Sequence, residues 1–449
     1  MHTIRIGAGA GFADDRIEPA IELAEHGDLD YLVFECLAER TIALAQLDRL
    51  RDPAAGYNDW LRERMTAVLP ACAAGGTTIV TNMGAANPAG AADAVLDVAR
   101  DLGLDGLRVA AVTGDDVLDL IRDTDLPFVD RPGSLADLGA DLLSANAYLG
   151  CAGIVRALEV GADVVITGRT ADPSLFVGPL VHEFGWSTVD WDRLGKAICA
   201  GHLLECAGQV TGGYFADPGV KDVPGLARLG FPLAEVAEDG GFVVTKVPGS
   251  GGLVTVATCT EQLLYEIHDP AAYISPDAIA DFSQAELTQL GPDRVRVSGV
   301  TGRARPAELK VSVGYRDGYL GTGEISYAGP NALGRGRLAL DVVRDRLVSA
   351  GIKAEQARFE LIGVDAVRRG TASSPGTSTP EPGEVRVRVA GRADSPDLAT
   401  RIGREVCALW LNGPAGGAGA TRRTEQVIAI ASVLLPRDLV CAQVKVRTA

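Results

Sequence analysis

The sequence is short of positive charge: Lys and Arg number 42 against 59 Asp and Glu in 449 residues, a formal net charge of -17. That balance excludes general nucleic-acid binding and docking on an anionic membrane, both of which need a positive field. A local basic pocket for an anionic ligand stays open. Long apolar runs are missing too, so no typical transmembrane helix is expected. The opening MHTIRIGAGAG enters a strand without the charged and apolar regions of a signal peptide. The eight cysteines, at 36, 72, 151, 199, 206, 259, 407 and 441, never form a CxxC pair, and they read as reduced, mostly buried thiols of a cytoplasmic protein. Aromatics make up only 5% beside 47% hydrophobic and 22% charged residues, the composition of a soluble enzyme.

What is abundant is glycine, 54 residues, clustered where strands end. The first half alternates apolar strands (Ile4–Ile6, Tyr31–Glu35, Thr78–Thr81, Val109–Thr113, Val164–Thr167) with helical segments, the pattern of a parallel sheet covered by helices. Each strand ends in a small or polar cluster: GAGAGFADD, ECLAER, NMGAANP, TGDD and GRTADPS. Those five clusters are expected on one rim, where open α/β sheets bind ligands. From residue 242 onward, alternating apolar residues and the amphipathic segment Arg337–Ala350 point to antiparallel strands with helices. The fold class expected is therefore α/β: a doubly wound, Rossmann-like parallel-sheet domain over residues 1–235, then an α+β domain with a mainly antiparallel sheet over 236–449. RGTASSPGTSTPEPG, with no apolar anchor, is expected to be a mobile loop at 369–383. The two strand-helix-strand passages of the second half are compatible with a diverged duplication.

Several motifs carry chemistry, each with a structural alternative. Gly7, Gly9 and Gly11 stand where a dinucleotide fingerprint would stand, with Glu35 placed to grip a ribose, but the third glycine position falls on Phe12. A phosphate or other anion at Gly9 and Gly11, an NAD(P) site, or a tight turn all fit. Glu35 can act as a general base or cap a helix; Cys36 reads as a buried thiol. Asn82 and Asn87 can hold a carbonyl or carboxylate oxygen, although Asn87 before Pro88 also reads as a helix cap. Arg169 can fork onto a carboxylate or phosphate, and Asp172 can serve as a base, cap the next helix or simply pair with Arg169. His202 and Glu205 share a helix face, yet no HExxH or clustered Cys/His spacing accompanies them, so no metal is assigned and His202 is assigned to acid/base work. Lys246 precedes PGSGG, which lacks the GK[ST] ending of a phosphate loop but leaves the lysine a candidate for an anion.

These stretches, with TKVPGSGGLVTVATCTEQLLYEIHDPAAYISPDAIADF and the late LWLNGPAGGAGATRR, resemble the acyclic terpene utilisation protein A family over nearly the whole chain. The resemblance implies a place among enzymes that degrade branched terpenoid alcohols through acyl-CoA intermediates, and longer members with an additional carboxyl-terminal domain. The reading that follows is an enzyme of lyase or hydratase type acting on a branched acyl-CoA or related small carboxylate. Arg169, Lys246, Gly9 and Gly11 are assigned to anions, Asn82 and Asn87 to the carbonyl, and Asp172, His202 or Glu35 to proton transfer. The Gly-rich segments 208–219 and 248–252 are expected to close the cleft. No cofactor is assigned beyond coenzyme A thioester as substrate, and a homo-oligomer is expected. A non-catalytic acyl-CoA-binding or partner-enzyme subunit and an NAD(P)-dependent reductase are the alternatives.

Overall fold

The computed structural model describes residues 2–352, 357–367 and 381–449. Most of the loop expected at 369–383 lies outside the described residues. Two compact units divide the chain: Met1–Gly314 with Ile430–Ala449, and Tyr315–Ala429.

In the first unit, β1 (Thr3–Ala10), β2 (Tyr31–Phe34), β3 (Thr78–Thr81), β4 (Arg108–Thr113) and β6 (Val164–Thr167) form a run of parallel neighbours in the order β1-β2-β3-β6-β4, while β5 (Leu142–Ala147) stands outside that run. Every residue of β2 and β6 is buried, as the YLVF and VVIT sequences require of strands covered on both faces. The covering helices pack in two series. One comprises α1 (Glu18–His26), α3 (Leu61–Gly75) and α4 (Pro88–Asp101); the other comprises α6 (Ala152–Glu159), α7 (Ser174–Phe184), α8 (Trp191–Leu204) and α9 (Val256–Leu264). Outside both series, α2 (Glu39–Arg51) follows β2 and the short α5 (Leu118–Ile121) follows β4. The Asn87 carboxamide caps α4 at Gly90 N, and Pro88 occupies its first position.

The boundary expected near residue 235 falls elsewhere. Four later strands, β7 (Pro232–Ala237), β8 (Phe242–Lys246), β11 (Glu286–Gly291) and β12 (Arg294–Ser298), extend the same sheet antiparallel from the free edge of β1. At the far edge β18 (Gln443–Thr448) pairs antiparallel with β4. The result is a mixed ten-stranded sheet. The physical reason is the edge: β1 and β4 each present unpaired N–H and C=O groups that another strand satisfies, and nothing local in the sequence announces which strand does so. A small second sheet holds β9 (Tyr273–Ile274), β10 (Ile279–Asp281) and β13 (Thr301–Arg303).

The second unit takes its strands from the end of β14 (Glu308–Ala328), from β15 (Ala357–Ile362) and β16 (Glu384–Ala393), and from the start of β17 (Ala418–Pro436), in the order β15-β16-β14-β17. The two strands expected at 308–315 and 318–326 are thus one strand. With α10 (Ala332–Ser349) after β14 and α11 (Pro396–Cys407) after β16, the strand-helix-strand passages interleave as a split β-α-β fold. Val385, Val387 and Val389 of β16 share a core with Ile402 and Val406 of α11.

Candidate functional site

The adjacent strands β3 and β6 send the chain in opposite directions, β3 through α4 to β4 and β6 through α7 and α8 to β7. Their carboxyl ends therefore flank a crevice of the kind in which open α/β sheets hold ligands. Glu35 directly follows β2 and Asn82 directly follows β3, while Asp115 and Arg169 lie two residues past β4 and β6. Asn82 joins two of these ends: its Nδ2 donates to Glu35 Oε1 at 2.9 Å and its Oδ1 accepts from Cys36 N at 2.7 Å. Leu37 N donates to the same Glu35 oxygen at 2.8 Å. From the other side Asp115 Oδ2 accepts from Arg169 N and Asn146 Nδ2, both at 2.9 Å. A Cβ on residue 168 would lie 2.6 Å from both Asp115 carboxylate oxygens, so this clamp needs Gly168.

The Arg169 side chain is 1% exposed and Asp172 36%. One arm of the guanidinium donates to Leu37 O, the other to Asp172 Oδ1 at 2.7 Å. The plane lies 4.1 Å from the centre of the Tyr148 ring, a cation–π contact in a desolvated place. The Tyr148 hydroxyl donates to Glu39 Oε1, which also accepts from Lys310 Nζ at 3.0 Å. A cavity of about 340 Å³ opens here, walled by Tyr148, Tyr273, Pro276 and Leu309 with Asp172 and Lys310 among its few charged groups. Apolar walls with a small number of placed polar groups are what small-ligand sites provide.

Electrostatics divides the acids. Burial raises Glu35 well above the ordinary carboxylate range, and the Asp172 charge pushes it further against the Leu37 and Asn82 hydrogen bonds. Burial also raises Asp172, with Glu39 and Glu266 adding to it and Arg169 opposing. Glu39 goes the other way: against the push of burial, the Tyr148 hydroxyl and the Arg169 and Lys310 charges hold it at about 2. Asp115 is raised by burial to about 6. A buried cation thus stands among carboxyl groups that cannot all ionise, and one of them, Asp172, faces the cavity.

Not every expected residue comes to this place. Arg169 is enclosed, so it positions Asp172 and Leu37 rather than offering a free fork to a ligand. Asn82, 0% exposed, holds Glu35. Asn87 Nδ2 donates to Pro53 O and Ala55 O while its Oδ1 caps α4, which ties it to the neighbouring loop. Lys246 is buried in its own turn, donating to Ser250 O at 2.8 Å and paired with Asp293 at 3.3 Å. Gly7 and Gly9 lie inside β1, and α1 starts only at Glu18, so the strand-turn-helix of a dinucleotide fingerprint is not built. A Cβ at Gly9 would meet the Phe34 ring at 2.6 Å, and one at Gly11 the Cys206 backbone at 2.5 Å. Close packing accounts for both glycines. The segments 208–219 and 248–252 are each tied into neighbouring chain: Thr211 O accepts from Leu253 N, and Gly252 N donates to Pro224 O, and neither segment lines the cavity.

The pattern of the acyclic terpene utilisation family protein AtuA matches residues 4–446. The chain belongs to this family. No curated protein and no solved structure matches it. The family is tied to acyclic terpene utilisation, and in this member the groups around the cavity include several that the sequence did not single out. Glu39 sits in the first turn of α2, Tyr148 and Asn146 in or just after the unforeseen β5, and Lys310 in β14. Only Asp115, as part of the TGDD strand end, and Glu39, as part of ECLAER, carried a signal.

His202 is 1% exposed and its ring packs on Tyr273 and Phe282. Leu263 offers Nε2 only a carbonyl oxygen, at 3.3 Å, so Nε2 carries the hydrogen and Nδ1 accepts. The 2.9 Å bond between Nδ1 and Glu205 Oε1 then uses a proton on Glu205, in keeping with the carboxyl's upward shift by burial and by the Asp172 charge. Burial lowers His202 to about 4, so the folded ring stays neutral while the unfolded one charges between about pH 6.5 and that value. Stability contributed by the neutral ring is present above pH 6.5 and lost as pH falls. Relative to His202→Gln, the wild type is expected to lose up to about 3 kcal/mol of unfolding free energy across that window, measured by urea titration. A difference that does not change with pH would show the ring charged in the fold.

Proposed function

We propose that this protein is an enzyme of lyase or hydratase type that acts on a branched acyl-CoA or related small carboxylate by acid/base chemistry. The observation that carries the reading is Asp172: a carboxyl of raised pKa, held at 2.7 Å by a buried arginine and a third exposed on the wall of an apolar cavity. Such a group takes a proton from water or from the carbon beside a carbonyl and returns it. The cavity, about 340 Å³, suits one short branched acyl chain, with the nucleotide part of a thioester left outside. Lys310 on its rim supplies positive charge toward a carbonyl or carboxylate oxygen. Glu35, more deeply enclosed, shares the proton balance of the site through its coupling to Asp172.

The family's tie to acyclic terpene utilisation supports the substrate class, since acyclic terpenes are methyl-branched chains. The test follows methyl-branched enoyl-CoA thioesters with the purified chain, monitoring loss of the enoyl-thioester absorbance and free CoA. Turnover that survives in the wild type and collapses in Asp172→Asn is the expected result. Saturable binding of the thioester without turnover would overturn the enzyme reading in favour of a binding subunit.

A further inference from the structure

The helix-free face of the second unit's sheet has an alternation that its core does not require. Along β16, Val385, Val387 and Val389 point into the core, so Arg386, Arg388, Ala390 and Arg392 share the opposite face, about 7 Å apart pair by pair. The register sets what lies beside each. Arg388 stands between Glu324 of β14 and Glu360 of β15, whereas Ala390 stands between Thr322 and Arg358. Glu360, only 7% exposed, pairs with Arg388 at 2.7 Å, and Glu324 pairs with Arg386 at 2.5 Å. Both carboxylates are therefore engaged beneath the row that follows. Small residues at Ala390, Gly391 and Thr322 then leave a recess between tall neighbours, a hollow of about 870 Å³ lined by five arginines and three glutamates. Arg358 on its rim is exposed and has no ion pair among the described residues.

We infer that this recess binds a phosphorylated small molecule, with a di- or polyphosphate group over Ala390 and Thr322. Guanidinium groups fork onto phosphate oxygens, and the Thr322 hydroxyl is placed on the floor to donate. Positive charge gathered in one hollow of a chain with a net charge of -17 selects an anion. The chain's own Ser/Thr/Pro-rich stretch is not its complement, because residues 368–380 carry two arginines and no acid. The recess belongs to the second unit and the acid/base site to the first, and its test does not depend on that reading.

Isothermal titration of the full chain with inorganic pyrophosphate, ADP and coenzyme A is the experiment. Saturable binding is expected for the wild type, weakening with added salt. Arg358→Gln removes a cation that has no ion pair among the described residues, and Ala390→Leu fills the floor; both lie on the sheet's open face and should leave the unfolding midpoint in place. Each is expected to weaken binding at least tenfold, about 1.4 kcal/mol. Pyrophosphate bound as tightly as ADP places recognition in the phosphates, and tighter ADP or coenzyme A adds the nucleoside. Absence of saturable binding to all three probes, or binding that neither substitution changes, would overturn the proposal. So would a wild-type dimer dispersed by Ala390→Leu in the absence of anion binding, since the face would then belong to a second copy of the chain.

Discussion

Asparagine at position 172 is expected to lower turnover of the branched acyl thioester about 10²–10⁴-fold, the usual worth of a positioned acid/base group, while the folded state keeps or gains stability. The carboxamide preserves an oxygen for Arg169 Nη2 but cannot take a proton. Stability holds because Asp172 is a carboxylate whose charge Glu39 and Glu266 oppose, and which in turn raises Glu35 and Glu205. Removing its charge relieves that repulsion. Steady-state kinetics and urea unfolding of the same preparation test both halves. The pH–rate profile adds a check: the base form of Asp172 is lost as pH falls through its raised pKa, so the acid limb of the wild-type profile should lie above the ordinary carboxylate range. Unchanged turnover in a folded Asp172→Asn protein would remove Asp172 from the mechanism.

Arg169→Met is the substitution expected to damage the fold most, by about 3–5 kcal/mol, the cost of stripping one partner from a buried ionic group. Leu37 O loses its donor, Asp172 its counter-charge, and the Tyr148 face its cation. Arg169→Lys keeps the charge but cannot reach Leu37 and Asp172 at once, so it should recover part of the stability and little of the turnover. The double variant Arg169→Met/Asp172→Asn separates the effects, because removing the orphaned carboxylate should restore more than additivity predicts. If Arg169→Met unfolds at the wild-type denaturant concentration, the guanidinium is not the keystone described.

The strands could be read from β-branched apolar runs such as Val164–Thr167, and the polar clusters after them followed from topology. Glu35, Asn82, Asp115 and Arg169 indeed sit on neighbouring strand ends. What misled was local grammar. GAGAG has the composition of a phosphate turn, but Gly9 gives way to the Phe34 ring and Gly11 to the Cys206 backbone, contacts made across some 25 and 195 residues. His202 looked reactive because histidine often is, yet Tyr273, Phe282 and Glu205 enclose it. Lys246 looked available, and its own turn occupies it.

The sequence by itself determined the family, the parallel strands and which polar residues stand at their ends, because each depends on residues close together in the chain. Only the tertiary structure decided the rest. The sheet is ten strands wide because free edges are satisfied by segments far away in sequence, β7 on one side and β18 on the other. Whether a charged side chain is free or committed also depends on distant partners. Arg169 became a buried strut and Asp172 the group facing the cavity because Leu37, Tyr148 and Lys310 arrive from three other segments, and Coulomb forces and desolvation act on distance in space, not on separation along the chain.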